Sequence, residues 1–135
     1  ENGDLVLIDN NKKLIINNKI PVGRKALKGN QIISVDSKYF QNIKKISIDG
    51  QLFINIIISV DNDLKADPVL YCPTLALDEG DITVLKSYLK KEIIIISKNC
   101  IDDNILANEI KIIARTYIKN KIGLKPSTIV EIIRI

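Results

Sequence analysis

The sequence predicts an α+β fold: a β-hairpin and connector, followed by a two-layer domain of order β-β-α-α-β. Three observations support this prediction. Apolar residues alternate along residues 51–60, they recur at helical spacing in two later segments, and β-branched residues dominate the C-terminal stretch STIVEIIRI. A period of two is typical of a strand with one buried face, whereas a period of three to four is typical of a helix against a core. Two helices can cover one face of a three-stranded sheet.

Residues 1–45 are expected to be the hairpin and connector, and residues 46–135 the α+β domain. Two apolar runs, Leu5–Ile8 and Leu14–Ile16, flank the turn-forming DNNKK and predict a hairpin. The following NNKIPVGRKALKGN contains a proline and two glycines, so it is expected to be an extended connector. After it, Ile32–Val35 is expected to be a brief strand, and Asp36 to cap a short helical turn through Tyr39 and Phe40.

The stretch QLFINIIISV, residues 51–60, is predicted to be the central strand. Its buried face would be wholly apolar and consists of Leu52, Ile54, Ile56, Ile58 and Val60. Its other face is mixed and consists of Phe53, Asn55, Ile57 and Ser59. The turn-forming DNDLKADP then leads into Val69–Tyr71, which is expected to be a second, antiparallel strand.

Two helices and a strand are predicted to follow. In residues 77–97 the strand propensity of four consecutive isoleucines competes with a sustained helical period, and we favour the helix. Its expected apolar stripe is Ile82, Leu85, Leu89, Ile93 and Ile96. In residues 102–123 the expected stripe is Leu106, Ile110, Ile113, Tyr117 and Lys121, with Ala114 and Ile118 beside it. Asp102 or Asp103 would cap this helix, Gly123 and Pro126 would end it, and Ser127–Ile135 would form the last strand.

The composition excludes several kinds of chemistry. The chain has no histidine, so Ser-His-Asp catalysis, Cys-His catalysis and histidine metal sites are excluded. It also has no glycine-rich phosphate-binding motif. The acidic clusters DND and LDEGD, at residues 61–63 and 77–81, are interpreted as turn and helix-cap residues. We therefore predict no catalytic, cofactor-binding or metal-binding residue in this chain.

The cellular setting is predicted from weaker signals. Cys72 and Cys100 form no metal-binding or disulfide pattern, so both are expected to be reduced, mostly buried thiols in a cytoplasmic protein. No apolar stretch is long enough to span a membrane, and the first residues are not a signal peptide. Because the chain contains no methionine at all, we expect it to be a piece of a longer protein.

Two surfaces could bind a partner. The net charge of +4 and the pI of about 9.0 permit contact with RNA, for which Lys111, Arg115 and Lys119 are the candidates, aligned along one side of a helix. The interpretation we favour for these three residues is the polar face of an amphipathic helix. The second surface is the sheet face of Phe53, Asn55 and Ile57, which no layer of this chain is expected to cover. We predict that this face pairs with a second copy, rimmed by Asn55, Ser59, Glu131 and Arg134, unless the N-terminal segment folds over it.

The order of segments resembles one known family. ENGDLVLID followed by IPVGRKALKGN is similar to the stretch after the catalytic unit of ribonuclease J proteins. DGQLFINIIISVDNDLKADP resembles the first hairpin of that family's C-terminal domain, and NEIKIIARTYIKNKIGLKPSTIVEIIRI resembles its final helix, turn and strand. Each motif is weakly specific, but together they span nearly the whole chain in the family's order and spacing.

The resemblance implies an accessory role in a larger enzyme. Members of the family are metallo-β-lactamase-fold ribonucleases with a β-CASP insertion, and they degrade RNA with two metal ions, usually zinc, held by histidines. The chain is more similar to the bacterial members, which have a compact C-terminal domain. None of those histidines is present here, so no catalytic residue is carried over. The resemblance implies a C-terminal domain that is not itself an enzyme, that packs on its own catalytic domain and that supports oligomerisation. The alternative is an independent RNA-binding module with a basic helix face.

Overall fold

The computed structural model of the chain describes residues 4–8, 10–11, 14–20, 22–99 and 102–135, and of Asn17 only the backbone. This part of the chain is mixed α+β, as predicted. Its elements are β1 (Asp4–Ile8), β2 (Leu14–Lys19), β3 (Lys25–Lys28), β4 (Gln31–Ser34), α1 (Lys38–Asp49), β5 (Gln51–Ile58), β6 (Val69–Tyr71), α2 (Glu79–Ser97), α3 (Asp103–Ile122) and β7 (Ser127–Arg134). The chain divides into two compact units, Glu1–Gln41 and Asn42–Ile135. The domain boundary after residue 45 stays a prediction.

The first unit contains two antiparallel hairpins. The β1–β2 hairpin was predicted, and its register shifts between Leu5 and Val6. The β3–β4 hairpin was not predicted, so the expectation of an extended connector through residue 30 is wrong. Its two strands are joined by Gly29 and Asn30, and Gly29 takes a positive φ of 55°, which tight hairpin turns favour. Asp9, Lys12, Lys13 and Pro21, which belong to the expected turn and connector, lie outside the described residues.

A full helix, α1, replaces the short turn expected near Tyr39 and Phe40. It has 12 residues. Ser37, and not Asp36, caps it: the Ser37 hydroxyl accepts a hydrogen bond from the backbone N–H of Phe40 at 3.2 Å. The helix ends where Gly50 adopts a φ of 80°. None of its side chains is fully buried, although Tyr39, Ile43 and Ile46 recur at helical spacing in the sequence.

The second unit contains a three-stranded sheet of order β6-β5-β7. The predicted antiparallel pairing of β5 with β6 is confirmed, with Phe53 opposite Tyr71. The last strand, β7, pairs with β5 in parallel from Gln51 opposite Ser127 to Ile58 opposite Arg134. A parallel pairing needs a long crossover, and the chain between β6 and β7 contains both α2 and α3.

The core joins one face of β5 to both helices. It is aliphatic, as the low aromatic content requires, and it consists of Leu52, Ile54, Ile56, Ile58, Leu75, Leu85, Leu89, Ile93, Leu106, Ile110, Ala114 and Ile118. Val60 was expected to continue this face, and that prediction is wrong. The strand ends at Ile58, the backbone N–H of Ser59 donates to the carbonyl of Asp63 at 2.8 Å, and Val60 in this turn is 77% exposed.

Both predicted helices are present, with small corrections. In α2, Leu85, Leu89 and Ile93 are buried as predicted, and the carboxylate of Asp78 accepts from the N–H of Asp81 at 2.7 Å. In α3 the buried residues are Leu106, Ile110, Ala114 and Ile118. The predicted stripe is therefore correct in its first half and displaced by one residue in its second half. Lys121 was placed in that stripe, but its ammonium pairs with Asp81 at 2.5 Å on the surface.

The ends of α3 follow the sequence signals. The carboxylate of Asp102 accepts from the backbone N–H of Asn104 at 2.7 Å, and Gly123 ends the helix in the left-handed conformation with a φ of 76°. The rings of Tyr88 and Tyr117 stack at 5.1 Å and join α2 to α3. Within the described ranges, no helix combines the length and the apolar character that crossing a membrane requires.

Candidate interaction surface

The side of the sheet opposite the core residues of β5 carries a second set of large apolar side chains. Neighbouring residues on paired strands point to the same side of a sheet. The pairing therefore places Tyr71 and Ile129 beside Phe53, Val69 and Glu131 beside Asn55, and Ile133 beside Ile57. We call this surface the open face, and it consists of Phe53, Asn55, Ile57, Val69, Tyr71, Ile129, Glu131 and Ile133.

Most of the open face is accessible. Tyr71 is 62% exposed, Val69 58%, Ile129 50% and Ile133 43%, whereas Phe53 and Ile57 at the centre are half-buried by these neighbours. The rings of Phe53 and Tyr71 lie 6.1 Å apart and are tilted by 33°. An aromatic pair beside exposed aliphatic residues is the composition found at the centre of many protein interfaces.

Two polar residues cross the open face in a single row. Asn55 and Glu131 are adjacent on β5 and β7, and both are exposed. Their row separates the part around Phe53 from the part around Ile57. A partner on this face must therefore hydrogen-bond to these two side chains or leave them hydrated, since buried polar groups without partners are costly.

The predicted rim is only partly correct, because Ser59 and Arg134 do not face this side. Ser59 is buried, and its hydroxyl accepts from the N–H of Asp63 at 3.1 Å. The Arg134 Nε donates to both carboxylate oxygens of Asp103 at 2.9 Å, and one terminal nitrogen donates to Asn62 Oδ1 at 2.9 Å. Arg134 thus joins the end of β7 to the start of α3, and its hydrogen bonds lower the pKa of the Asp103 carboxyl.

The basic candidates lie along α3 as their spacing predicts. Lys111 and Arg115 are half-buried, and Lys119 is exposed. Arg115 and Lys119, but not Lys111, line a cavity of about 190 Å³ together with Ile112, Thr116 and Lys125. The sequence analysis did not identify Lys125, because this residue follows the helix and reaches the cavity only through the turn before Pro126. Its signal in the sequence was the basic residue directly before a helix-stopping proline.

The acidic clusters take structural roles. Asp78 caps α2, Asp81 pairs with Lys121, and Asp63 hydrogen-bonds through its backbone to Ser59. Across the described ranges, no three Asp, Glu or Cys side chains are grouped closely enough to hold a metal ion. Cys72 is half-buried rather than mostly buried, and desolvation raises the pKa of its thiol. Cys100, the other predicted thiol, lies outside the described residues.

The features on which a function can be based are thus a mixed α+β fold, an exposed and mostly apolar sheet face, and a basic cavity on α3. No protein-family model matches this chain, and no curated protein matches it either. The resemblance to ribonuclease J proteins consequently stays a prediction.

Proposed function

We propose that this chain is a non-catalytic C-terminal accessory domain that assembles a ribonuclease J-like enzyme through its open face. The observation that supports the proposal is the concentration of exposed apolar side chains around Phe53, on the side of the sheet opposite the core. The largest apolar patch on a soluble protein is often a binding surface.

The proposal includes a two-layer arrangement with α2 and α3 on the same side of the sheet. The core supports this arrangement, because residues of both helices pack with the single line Leu52, Ile54, Ile56 and Ile58. In a two-layer domain the opposite side of the sheet has no covering layer of its own. A second copy related by a two-fold axis would cover the open face with an identical open face.

The expected strength of this association follows from the size of the face. It is at most eight residues long at about 3.3 Å per residue and three strands wide at about 4.8 Å per strand, so its footprint is on the order of 400 Å² per copy. Two copies would therefore bury about 800 Å² in total, which is below the roughly 1,000 Å² of a stable specific interface and is typical of weak, transient ones. We therefore expect a dissociation constant in the micromolar range rather than a permanent dimer.

Sedimentation of Phe53→Lys tests the proposal. A lysine at the centre of the face would have to lose its hydration in the dimer, so the variant should stay folded and sediment as a monomer at about 100 μM, where a micromolar dimer is mostly associated. Val60→Lys is the matched control, because Val60 is apolar and 77% exposed but lies outside the face. A wild-type chain that is monomeric at this concentration contradicts the dimer. If the N-terminal segment covers the face instead, Phe53→Lys should destabilise a monomer.

The parent enzyme belongs to the proposal as well. Residues 1–45 would connect this domain to its own catalytic domain, which would hold the two zinc ions and cut RNA in the cytoplasm. The chain alone is expected to be inert towards 5′-monophosphorylated RNA with Zn²⁺ or Mn²⁺, since it has no histidine to bind the metals. Turnover that survives further purification would contradict this.

A second candidate function is binding of RNA by α3. What favours it is the cavity in which Arg115 and Lys119 meet Lys125. Binding of an oligoribonucleotide that weakens steeply with salt would support this candidate. A chain that dimerises but has no affinity for RNA at micromolar concentration would support assembly alone.

A further inference from the structure

We infer that the cavity lined by Arg115, Lys119 and Lys125 is a binding site for a phosphate group. This inference is independent of the assembly through the open face. It deepens the second candidate function by naming the chemical group that the basic side of α3 would bind.

The first support is the distribution of charge around the cavity. Its lining contains three cations, one threonine and one isoleucine, and no acidic residue. Along α3 the last acidic residue is Glu109, and four basic residues follow it before the helix ends at Ile122. The potential in the cavity is therefore positive, and it is only partly reduced by the negative end of the helix dipole, which is equivalent to about half a charge.

The second support is that no acidic side chain in the described part of the chain neutralises the three cations, whereas acidic side chains do pair with basic residues of α2, α3 and β7. Lys90 pairs with Asp67 at 2.6 Å, Lys121 with Asp81 at 2.5 Å, and Arg134 with Asp103 at 2.6 Å. Over the ranges that the structure describes, Arg115, Lys119 and Lys125 form no ion pair. Their charges are thus available to an anion from outside the chain.

The third support is the environment of Arg115. Its Nε is buried and has no hydrogen-bond partner among the described residues. A buried N–H group without an acceptor is unfavourable, so Arg115 keeps a donor that no group of the described chain satisfies. The guanidinium donors form a fork that matches two oxygens of a phosphate.

The size and the charge of the cavity favour phosphate over smaller or weaker anions. Its volume of about 190 Å³ would hold several water molecules at about 30 Å³ each, which is enough for a tetrahedral anion that keeps part of its hydration. Three cations favour a doubly charged phosphate over a singly charged carboxylate. Thr116 adds a neutral hydroxyl donor at the same opening.

The experiment is an NMR titration of the ¹⁵N-labelled chain with sodium phosphate at constant ionic strength and pH 7.5. We expect the amide signals of residues 112–125 to shift and to saturate in the low millimolar range. Sodium acetate should produce a much smaller change at the same concentration. The variants are Lys119→Gln and Lys125→Gln, both at exposed positions where folding should be retained, and each should weaken phosphate binding about tenfold, as expected for a charge-assisted hydrogen bond.

Lys111→Gln is the matched control. Lys111 lies one helical turn before Arg115 and carries the same charge as the tested lysines, but it does not line the cavity. Its removal should change phosphate binding less than twofold. If Lys111→Gln weakens binding as much as Lys119→Gln does, the attraction is diffuse and the site is refuted. Shifts that do not saturate, or equal binding of acetate, also refute it.

A second titration with a short single-stranded oligoribonucleotide distinguishes two sources of the phosphate. If the same amide signals shift, and if Lys125→Gln lowers the slope of log affinity against log salt by about 0.7, the site binds the RNA backbone. If phosphate saturates the site and the oligonucleotide leaves these signals unchanged, the ligand is a free phosphate or a small phosphorylated molecule. Binding of RNA without any shift at residues 112–125 would contradict RNA binding by this side of α3, and the phosphate titration would then decide the site alone.

Discussion

Replacing Gly50 with alanine should destabilise the second unit strongly. Gly50 ends α1 and begins the central strand, and its φ of 80° is one that residues with a side chain rarely adopt. Its N–H donates to the carbonyl of Ile46 at 3.0 Å, and its own carbonyl accepts from Ser127 at 2.9 Å. Because these bonds hold the backbone at both ends, the strain of an added side chain cannot be relieved by a local shift alone.

The size of the effect has two parts. The left-handed conformation costs an alanine about 1–2 kcal/mol. A Cβ at Gly50 would also lie 2.5 Å from Leu75 Cδ2 and 3.2 Å from the carbonyl oxygen of Thr74, and overpacking of this kind costs about 1–3 kcal/mol. The lower entropy of the unfolded alanine chain offsets about 0.4–1 kcal/mol. We expect a net loss of about 2–4 kcal/mol.

Urea unfolding followed by circular dichroism measures this loss, and Gly123→Ala is the matched control. Gly123 has a similar φ of 76°, but a Cβ there would meet nothing within 4 Å. The control should therefore lose about 1 kcal/mol from strain alone, whereas Gly50→Ala should shift the midpoint by about 1–2 M. Adding Leu75→Ala removes the side chain that clashes, so the two substitutions together should cost less than the sum of their separate effects.

Equal destabilisation by the two glycine variants would refute the argument, since it would show that contact with Leu75 adds nothing. The argument would also be refuted if the double variant lost as much stability as Gly50→Ala and Leu75→Ala lose together when made separately.

Three further predictions concern the core, an ion pair and a thiol. Leu89→Ala should lower the free energy of unfolding in urea by about 2–5 kcal/mol, because Leu89 is fully buried. Val84→Ala, on the exposed side of the same helix, should lower it by less than about 1 kcal/mol. Similar losses would contradict the assigned core face. The hydrogen bonds from Arg134 lower the pKa of Asp103. The ionised Asp103 therefore stabilises the fold above its ordinary pKa of 3.8, and this stabilisation is lost as the pH falls below that value. Asp103→Asn should therefore lower the free energy of unfolding by up to about 1 kcal/mol at pH 7. Below pH 3.8 the free energies of the variant and the wild type should become more similar. A difference that is unchanged in acid would contradict the pairing. In a Cys100→Ser background, Cys72 should react with a thiol reagent more slowly than free cysteine at pH 8, because burial raises its pKa; an equal rate would contradict this.

The elements that bury one side of a regular apolar pattern were predictable from the sequence, whereas α1 and the β3–β4 hairpin were not. Both β5 and α2 bury one side of a regular pattern, and the alternation or the helical spacing showed it. By contrast, α1 was not predicted as a full helix although Tyr39, Ile43 and Ile46 recur at helical spacing, and none of its side chains is fully buried. The β3–β4 hairpin depends on a Gly-Asn pair between two very short strands, which the proline and glycines nearby concealed.

The composition of the open face was only partly predictable, because it depends on how strands pair. The sequence places Phe53 and Ile57 on one side of β5, but it does not say which residues of the other strands lie beside them. The parallel register of β7 supplies Ile129 and Ile133, and the same register sends Arg134 to the helix side. The position of Lys125 at the basic cavity likewise depends on the conformation of a turn, which the spacing of residues in the sequence does not predict.

The parallel pairing of β5 with β7 also has a consequence for how the chain folds. Gln51 pairs with Ser127, 76 residues later in the sequence, so this contact closes a long loop and should form late. At about 5–20 residues per second, a ribosome needs roughly 4–15 s to synthesise the intervening chain. During this time the central strand has its apolar line but lacks its longest neighbour, so the nascent chain exposes an unpaired, isoleucine-rich edge that would require protection from aggregation.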